Sequence, residues 1–234
     1  MSGILEGRIA LITGASRGIG AAVAKRLARE GAHTILLART VGGLEEVDDA
    51  IQAMGGQATL VPLDLTKADQ IDALGAEIFQ RFKRLDILVG NAGILGSLTP
   101  VSHIVPKVWD EVIATNLTAN YRLLRSMDPL LKASASGRAM FVTSNVTEAV
   151  YPYWGAYAAS KLALACLGKT YAAENKHTSV KANLINPGEV RTDMHAAAMP
   201  GQDPMKLVHP DEITDIFVEL AAEACTASGK KFHV

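Results

Sequence analysis

The chain has 234 residues, 49% of them hydrophobic, with a formal net charge of -1. That balance gives no electrostatic reason to expect nucleic acid or an anionic membrane surface as the main partner. No basic segment precedes a long apolar run at the N-terminus, and no stretch of about 18 apolar residues occurs, so a soluble, cytoplasmic-type protein without a membrane span is expected. The two cysteines, Cys166 and Cys225, lie in apolar, helix-like stretches, which predicts buried free thiols rather than a disulfide.

Short apolar runs alternate with helical stretches along the chain. The runs are residues 8–13, 33–38, 58–63, 85–90, 138–144 and 180–186, with a short final one in "KFHV". They are continuous rather than alternating, as strands covered on both faces are. Ile71, Leu74, Ile78 and Phe82 recur three and four apart, which predicts one helix face. Gly31 stands where a helix would end. The pattern predicts one domain over residues 1–234: a doubly wound α/β fold of the Rossmann kind. It would have a parallel sheet of about seven strands and helices on both faces. Ligands bind such sheets beyond the carboxyl ends of the strands.

After the first run comes "GASRGIG", with Gly14, Gly18 and Gly20, and then a helix. Glycines let the chain turn sharply, and a helix start offers free N–H groups to a pyrophosphate. A glycine-rich turn with no ligand is the bland alternative. After the second run, Ala38 stands where an NAD-binding acid would be, followed by Arg39 and Thr40. With Arg17 in the glycine loop, two guanidiniums suit a 2′-phosphate, which favours NADP(H) over NAD(H). Arg39 could instead be a solvated loop residue. Asp64, closing the third run, suits an adenine edge or a helix N-cap. Asn91, Ala92 and Gly93 close the fourth run and form a cofactor-facing turn, or a turn for geometry alone.

Ser144 ends the fifth run, and Tyr157 and Lys161 follow four apart, on one face of a helix. A cation close by lowers a phenol from its ordinary value of about 10, making it a usable acid or base. Ser144 could donate to a carbonyl oxygen as charge grows there. Asn116 is an amide inside a helical stretch, unfavourable there unless it holds something, such as a water leading protons from Lys161. His103, His195 and His209 are scattered, and no metal site is expected.

Together, "TGASRGIG" (13–20), "NAG" (91–93), Asn116, Ser144, "YAASK" (157–161) and "NPGEVRT" (186–192) resemble the short-chain dehydrogenase/reductase family, in its compact single-domain branch. The resemblance implies a nicotinamide-dependent oxidoreductase interconverting a carbonyl and a secondary alcohol. It implies Tyr157 as acid/base, Lys161 also on the nicotinamide ribose, Ser144 on the substrate oxygen and Asn116 on a relay water. It puts Pro187, Gly188 and Thr192 along the nicotinamide end. The expected cofactor set is Gly14, Ser16, Arg17, Gly18, Ile19, Gly20, Arg39, Thr40, Asp64, Leu65, Asn91, Ala92, Gly93, Tyr157, Lys161, Pro187, Gly188, Val190 and Thr192. It also implies a homodimer or homotetramer, packed through the helices that hold Asn116 and Tyr157.

Three features depart from the family pattern. Gly90-Asn91 replaces an asparagine pair. The segment from Thr192 to Pro210 is short and proline-rich, so a substrate lid would be small. The chain stops at "GKKFHV" without the family's glycine-containing tail, which bears on the tetramer contacts. Leu95, Val146, Tyr151, Trp154 and Met194 are expected to border the substrate with Ser144, which suits an uncharged or weakly polar carbonyl compound or the matching secondary alcohol. Tyr151 and Trp154 could equally pack against a second subunit. Rival functions are a dinucleotide-binding regulatory protein with little turnover, and an epimerase acting through a transient ketone.

Overall fold

The computed structural model describes residues 3–234. Seven parallel strands form one sheet in the order β3-β2-β1-β4-β5-β6-β7. They are β1 (Ile9–Thr13), β2 (His33–Ala38), β3 (Gln57–Pro62), β4 (Ile87–Gly90), β5 (Arg138–Val142), β6 (Lys181–Asn186) and β7 (Lys231–His233). The helices are α1 (Gly18–Arg29), α2 (Val41–Ala53), α3 (Ala68–Phe82), α4 (Pro106–Ile113), α5 (Ala119–Ala133), α6 (Gly155–Glu174), α7 (Asp193–Ala198) and α8 (Asp215–Ala221).

The central strands feed two cores at once, because successive side chains leave opposite faces. In β1, Ala10 and Ile12 pack with Val23 and Leu27 of α1, Val47 of α2 and Phe217 of α8. Leu11 packs on the other face with Ile71 and Ile78 of α3, Leu123 of α5 and Leu164 of α6. β4 and β5 divide the same way: Ile87, Val89, Met140 and Val142 join the first core, and Leu88, Ala139 and Phe141 the second. That two-sided burial is why the runs are apolar at every position. Gly31, with φ of 95°, follows α1 and lets the chain turn into β2.

The strand order reverses between β1 and β4, so the connections that leave their carboxyl ends diverge and open a crevice. Two expectations fail. Cys166 is exposed on α6 and Cys225 is half-buried in the loop after α8, so neither thiol is core. Apolar neighbours in sequence do not say which face of a helix a thiol takes. Asp64 does not cap α3, whose N-cap is Lys67; its carboxylate accepts from the Thr66 N–H at 3.0 Å instead. No helix among the described residues is long and apolar enough to cross a membrane.

Phe141 is fully buried in the second core. Its ring lies so near α6 that a Cβ on Gly168 would meet it at 3.0 Å. Phe141→Ala is expected to cost about 3–5 kcal/mol, read by urea unfolding; a loss below about 1 kcal/mol would mean that this core does not set how α6 sits.

Candidate functional site

The crevice holds about 870 Å³ and runs from the glycine loop to Lys161. Its first wall is the turn between β1 and α1. Thr13 is buried, and its hydroxyl donates to the Val89 carbonyl at 3.2 Å while accepting the N–H groups of Asn91 and Ala92, each at 3.0 Å. The Asn91 amide reaches back and donates to the carbonyls of Thr13 at 2.9 Å and Gly14 at 3.4 Å. The ends of β1 and β4 are thus stitched across the point where strand order reverses. That is why the fourth strand closes on an amide among small residues. A Cβ on Gly20 would sit 2.1 Å from the Gly14 carbonyl oxygen and 2.6 Å from the Asn91 amide nitrogen, so α1 starts where only glycine fits.

Gly14, Ser16, Arg17, Gly18, Ile19, Arg39, Thr40, Asp64, Leu65, Asn91, Ala92 and Gly93 all line this crevice. So do Pro187, Gly188, Val190 and Thr192 from the segment after β6. Gly20 is buried behind that wall. Arg17 does not reach towards Arg39. Its guanidinium donates to the Asp193 carboxylate at 2.8 Å, across the opening. Asp64 is held below the usual carboxylate range, chiefly by the Thr66 N–H.

The far end carries the reactive groups. Tyr157 and Lys161 lie on α6, both buried and facing the crevice. The Lys161 ammonium donates to the Val142 carbonyl at 2.8 Å and stands 5.8 Å from the Tyr157 ring centre. A Cβ on Gly93 would come within 3.5 Å of that nitrogen, so the small residues after β4 leave it room. Burial pulls Lys161 down to about 8. The expected acidic phenol does not appear: burial raises Tyr157 above its ordinary 10, and a hydrogen bond with Ser144 opposes this only in part. A lysine one turn away does not offset removal of the phenolate from water, so the protein's own groups hold a neutral phenol. Ser144 lies two residues past the end of β5 and caps the turn at 145–147.

Asn116 occupies a π turn, Ala114–Thr118, that joins α4 to α5. Its amide accepts from the Ile94 N–H at 2.8 Å and donates to the Ile94 carbonyl at 2.9 Å and the Ser160 hydroxyl at 3.0 Å. Both amide hydrogens are spent on protein, so the side chain acts as a clasp and is not free to donate to a relay water. Ser160 in turn donates to the Tyr157 carbonyl at 2.7 Å. Sequence reasoning missed Ser160 and also Asn120, whose amide donates to the Asn116 carbonyl at 2.9 Å. Both are polar positions inside helices, the only signal they gave.

Of the expected substrate-side residues, Leu95, Ser144, Trp154 and Met194 line the crevice, and Val146 and Tyr151 do not. Val146 is buried behind the turn. Tyr151 is exposed and packs its ring against Trp154, 6.2 Å between centres. Beyond Thr192, α7 and short turns form a cover whose base is closed by a bridge between Val190 and Val208. Among the described residues no cluster of side chains suits a metal ion.

A doubly wound sheet with a glycine cradle at its first strand end and Ser, Tyr and Lys at its fifth defines a dinucleotide-dependent enzyme. The family described as short chain dehydrogenase matches residues 8–203, and the chain belongs to it. The oxidoreductase YciK of Escherichia coli is 38% identical over 223 residues, which span 94% of this chain and 88% of that protein. A Mycobacterium tuberculosis protein named as an NAD-dependent oxidoreductase is 33% identical, covering 99% of this chain and 96% of its own. A Shigella flexneri short chain dehydrogenase solved in complex with NADP superposes with a TM-score of 0.95 at 36% identity, covering 100% of this chain and 99% of that one. The protein is therefore an oxidoreductase.

Thr13→Val keeps the shape of the side chain but strands the N–H of Ala92, while that of Asn91 keeps the Val89 carbonyl at 3.1 Å. It is expected to cost about 1–3 kcal/mol, seen as a lower urea midpoint. An unchanged midpoint would show that the stitch between β1 and β4 contributes nothing to stability.

Proposed function

We propose that this enzyme moves hydride between NADP(H) and a carbonyl or secondary alcohol, with Tyr157 giving or taking the proton. The observation that carries the reading is the joint burial of Tyr157 and Lys161 at one end of a crevice whose other end is a phosphate cradle. Bound there, the dinucleotide would supply or accept the hydride. The chain's own part is protonic. The phenol donates its proton to the substrate oxygen as charge builds on it, and Ser144 donates a second hydrogen bond to the same oxygen. The Lys161 ammonium, held by the Val142 carbonyl, stabilises the phenolate left behind. In the reverse direction the phenolate takes the proton of the alcohol, so the same groups serve both directions.

The preference for NADP(H) rests on charges at the adenosine end. No carboxylate directly follows β2, where Arg39 and Thr40 line the crevice, and Glu46 lies further along α2 on the same wall. The glycine loop packs onto the start of α2, where a Cβ on Gly43 would meet Ser16 at 2.9 Å. The first turn of α2 carries no acidic residue, and the Thr40 side chain does not cap it. N–H groups at the start of α2 and the Arg39 guanidinium therefore flank one spot suited to a 2′-phosphate, while Arg17, on the adjoining glycine loop, is paired with Asp193. At the reacting end, Leu95, Trp154 and Met194 support an uncharged substrate with an apolar body. Trp109, Tyr121 and Leu162, exposed on α4, α5 and α6, support pairing with a second copy.

Tyr157→Phe is expected to lower kcat for ketone reduction by about 10²–10⁴-fold while NADPH binding, followed by its fluorescence, stays as in wild type. Equal turnover by both proteins against a broad ketone panel would remove Tyr157 from the chemistry. The pH dependence follows from Lys161. Its charged form exists below about 8 and is lost above it. kcat/KM for NADPH, which reports the free enzyme, should therefore fall as pH rises through that value. A profile flat up to the ordinary lysine value of 10.5 would contradict the assignment.

A further inference from the structure

One feature of the crevice has no part in proton or hydride transfer: the ion pair that crosses its opening. Arg17 belongs to the glycine loop, and Asp193 opens α7, 176 residues later. Their 2.8 Å contact joins side chains that are 77% and 76% exposed. The backbone beneath is close as well, since a Cβ on Gly18 would meet the Thr192 methyl at 3.4 Å. The cover segment thus leans on the glycine loop and is tied to it by one charge pair.

Arg17 also stands next to the adenosine end of the crevice. Its neighbour Ser16 packs against Gly43 at the start of α2, on the side where Arg39 and Thr40 line the crevice. A guanidinium that turns that way meets a 2′-phosphate in the function proposed above, on which this inference rests. It cannot keep its present contact with Asp193 when it does so.

We propose that Asp193 is a specificity-determining residue: it occupies Arg17 as an internal stand-in for the 2′-phosphate, and only NADP(H) displaces it. A phosphate dianion offers Arg17 more charge and two oxygens at once, whereas the carboxylate pair is exposed and weak. NAD(H) carries a hydroxyl at that position and leaves the pair in place. Asp193 therefore opposes the binding of one cofactor and is indifferent to the other.

The test is Asp193→Asn in the full chain, with Kd for NADPH and NADH read at low salt by cofactor fluorescence. Thr192, not Asp193, caps α7, so the helix start is kept. NADPH should bind about two- to fivefold tighter and NADH as before. The gain should vanish in an Arg17→Ala background and fade in about 0.5 M salt. Asp211→Asn is the control, because Asp211 also lines the crevice but pairs with Lys25 at 3.8 Å. No gain for NADPH, a gain shared by NADH, an equal gain from Asp211→Asn, or a gain that survives Arg17→Ala would each overturn the assignment. A wild-type protein that binds no NADPH would instead overturn the proposed function itself, and this inference with it.

Discussion

The site depends on burial that Tyr157 and Lys161 share. Each carries a polar tip into a wall otherwise built of Ala156, Ser160 and Leu164 packed on the sheet. Removal from water acts on the two groups in opposite senses. It raises the phenol, because the phenolate is the charged form, and lowers the ammonium for the same reason. At neutral pH the outcome is a neutral acid beside a cation that is still charged. This arrangement can give up a proton and hold the charge left behind. Burial thus weakens the phenol as an acid in the free protein, and its proton leaves only as a substrate oxygen takes it and the ammonium holds the charge left behind.

Burial of that kind needs a rigid frame, and the sheet supplies it. Phe141 of β5 and Leu184 of β6 press on Gly168, so α6 lies as close to the strands as a helix without a side chain there allows. Asn116 clasps Ile94, and Ser160 links Asn116 to the backbone of Tyr157. Across the crevice, Thr13 and Asn91 tie the phosphate cradle to β4. The two ends of the site are thus fixed to neighbouring strands, so the distance between them is a property of the sheet rather than of any loop.

Much of this is legible in the residues, because two-sided burial leaves continuous apolar runs and a nucleotide cradle leaves glycines. The runs overshoot the strands at their ends. Arg8 falls within the first run but precedes β1, and its side chain is buried against carbonyls including that of Asp86 at 3.2 Å. A cation inside an apolar run does not show where pairing begins. The π turn at Asn116 is hidden, since one extra residue in a turn does not disturb a 3.6-residue pattern over a few positions. Spacing reveals a cation near the phenol but not the absence of water, so it gives the wrong direction for Tyr157. Proximity in sequence to Ser144 and Trp154 suggests Val146 and Tyr151 as substrate contacts. The turn at 145–147 instead sends the first inward, while the second faces solvent.

Tyrosine carrying ¹³C at the ring carbon that bears the hydroxyl separates the two possible origins of reactivity most directly. Its NMR shift, followed against pH in the free protein and assigned with Tyr157→Phe, reports ionisation of that one phenol. If burial dominates, the signal stays that of a neutral phenol past the ordinary value of 10.0. Ionisation well below 10 would show that the ammonium of Lys161 governs the phenol already in the free protein, and would contradict the dominance of burial.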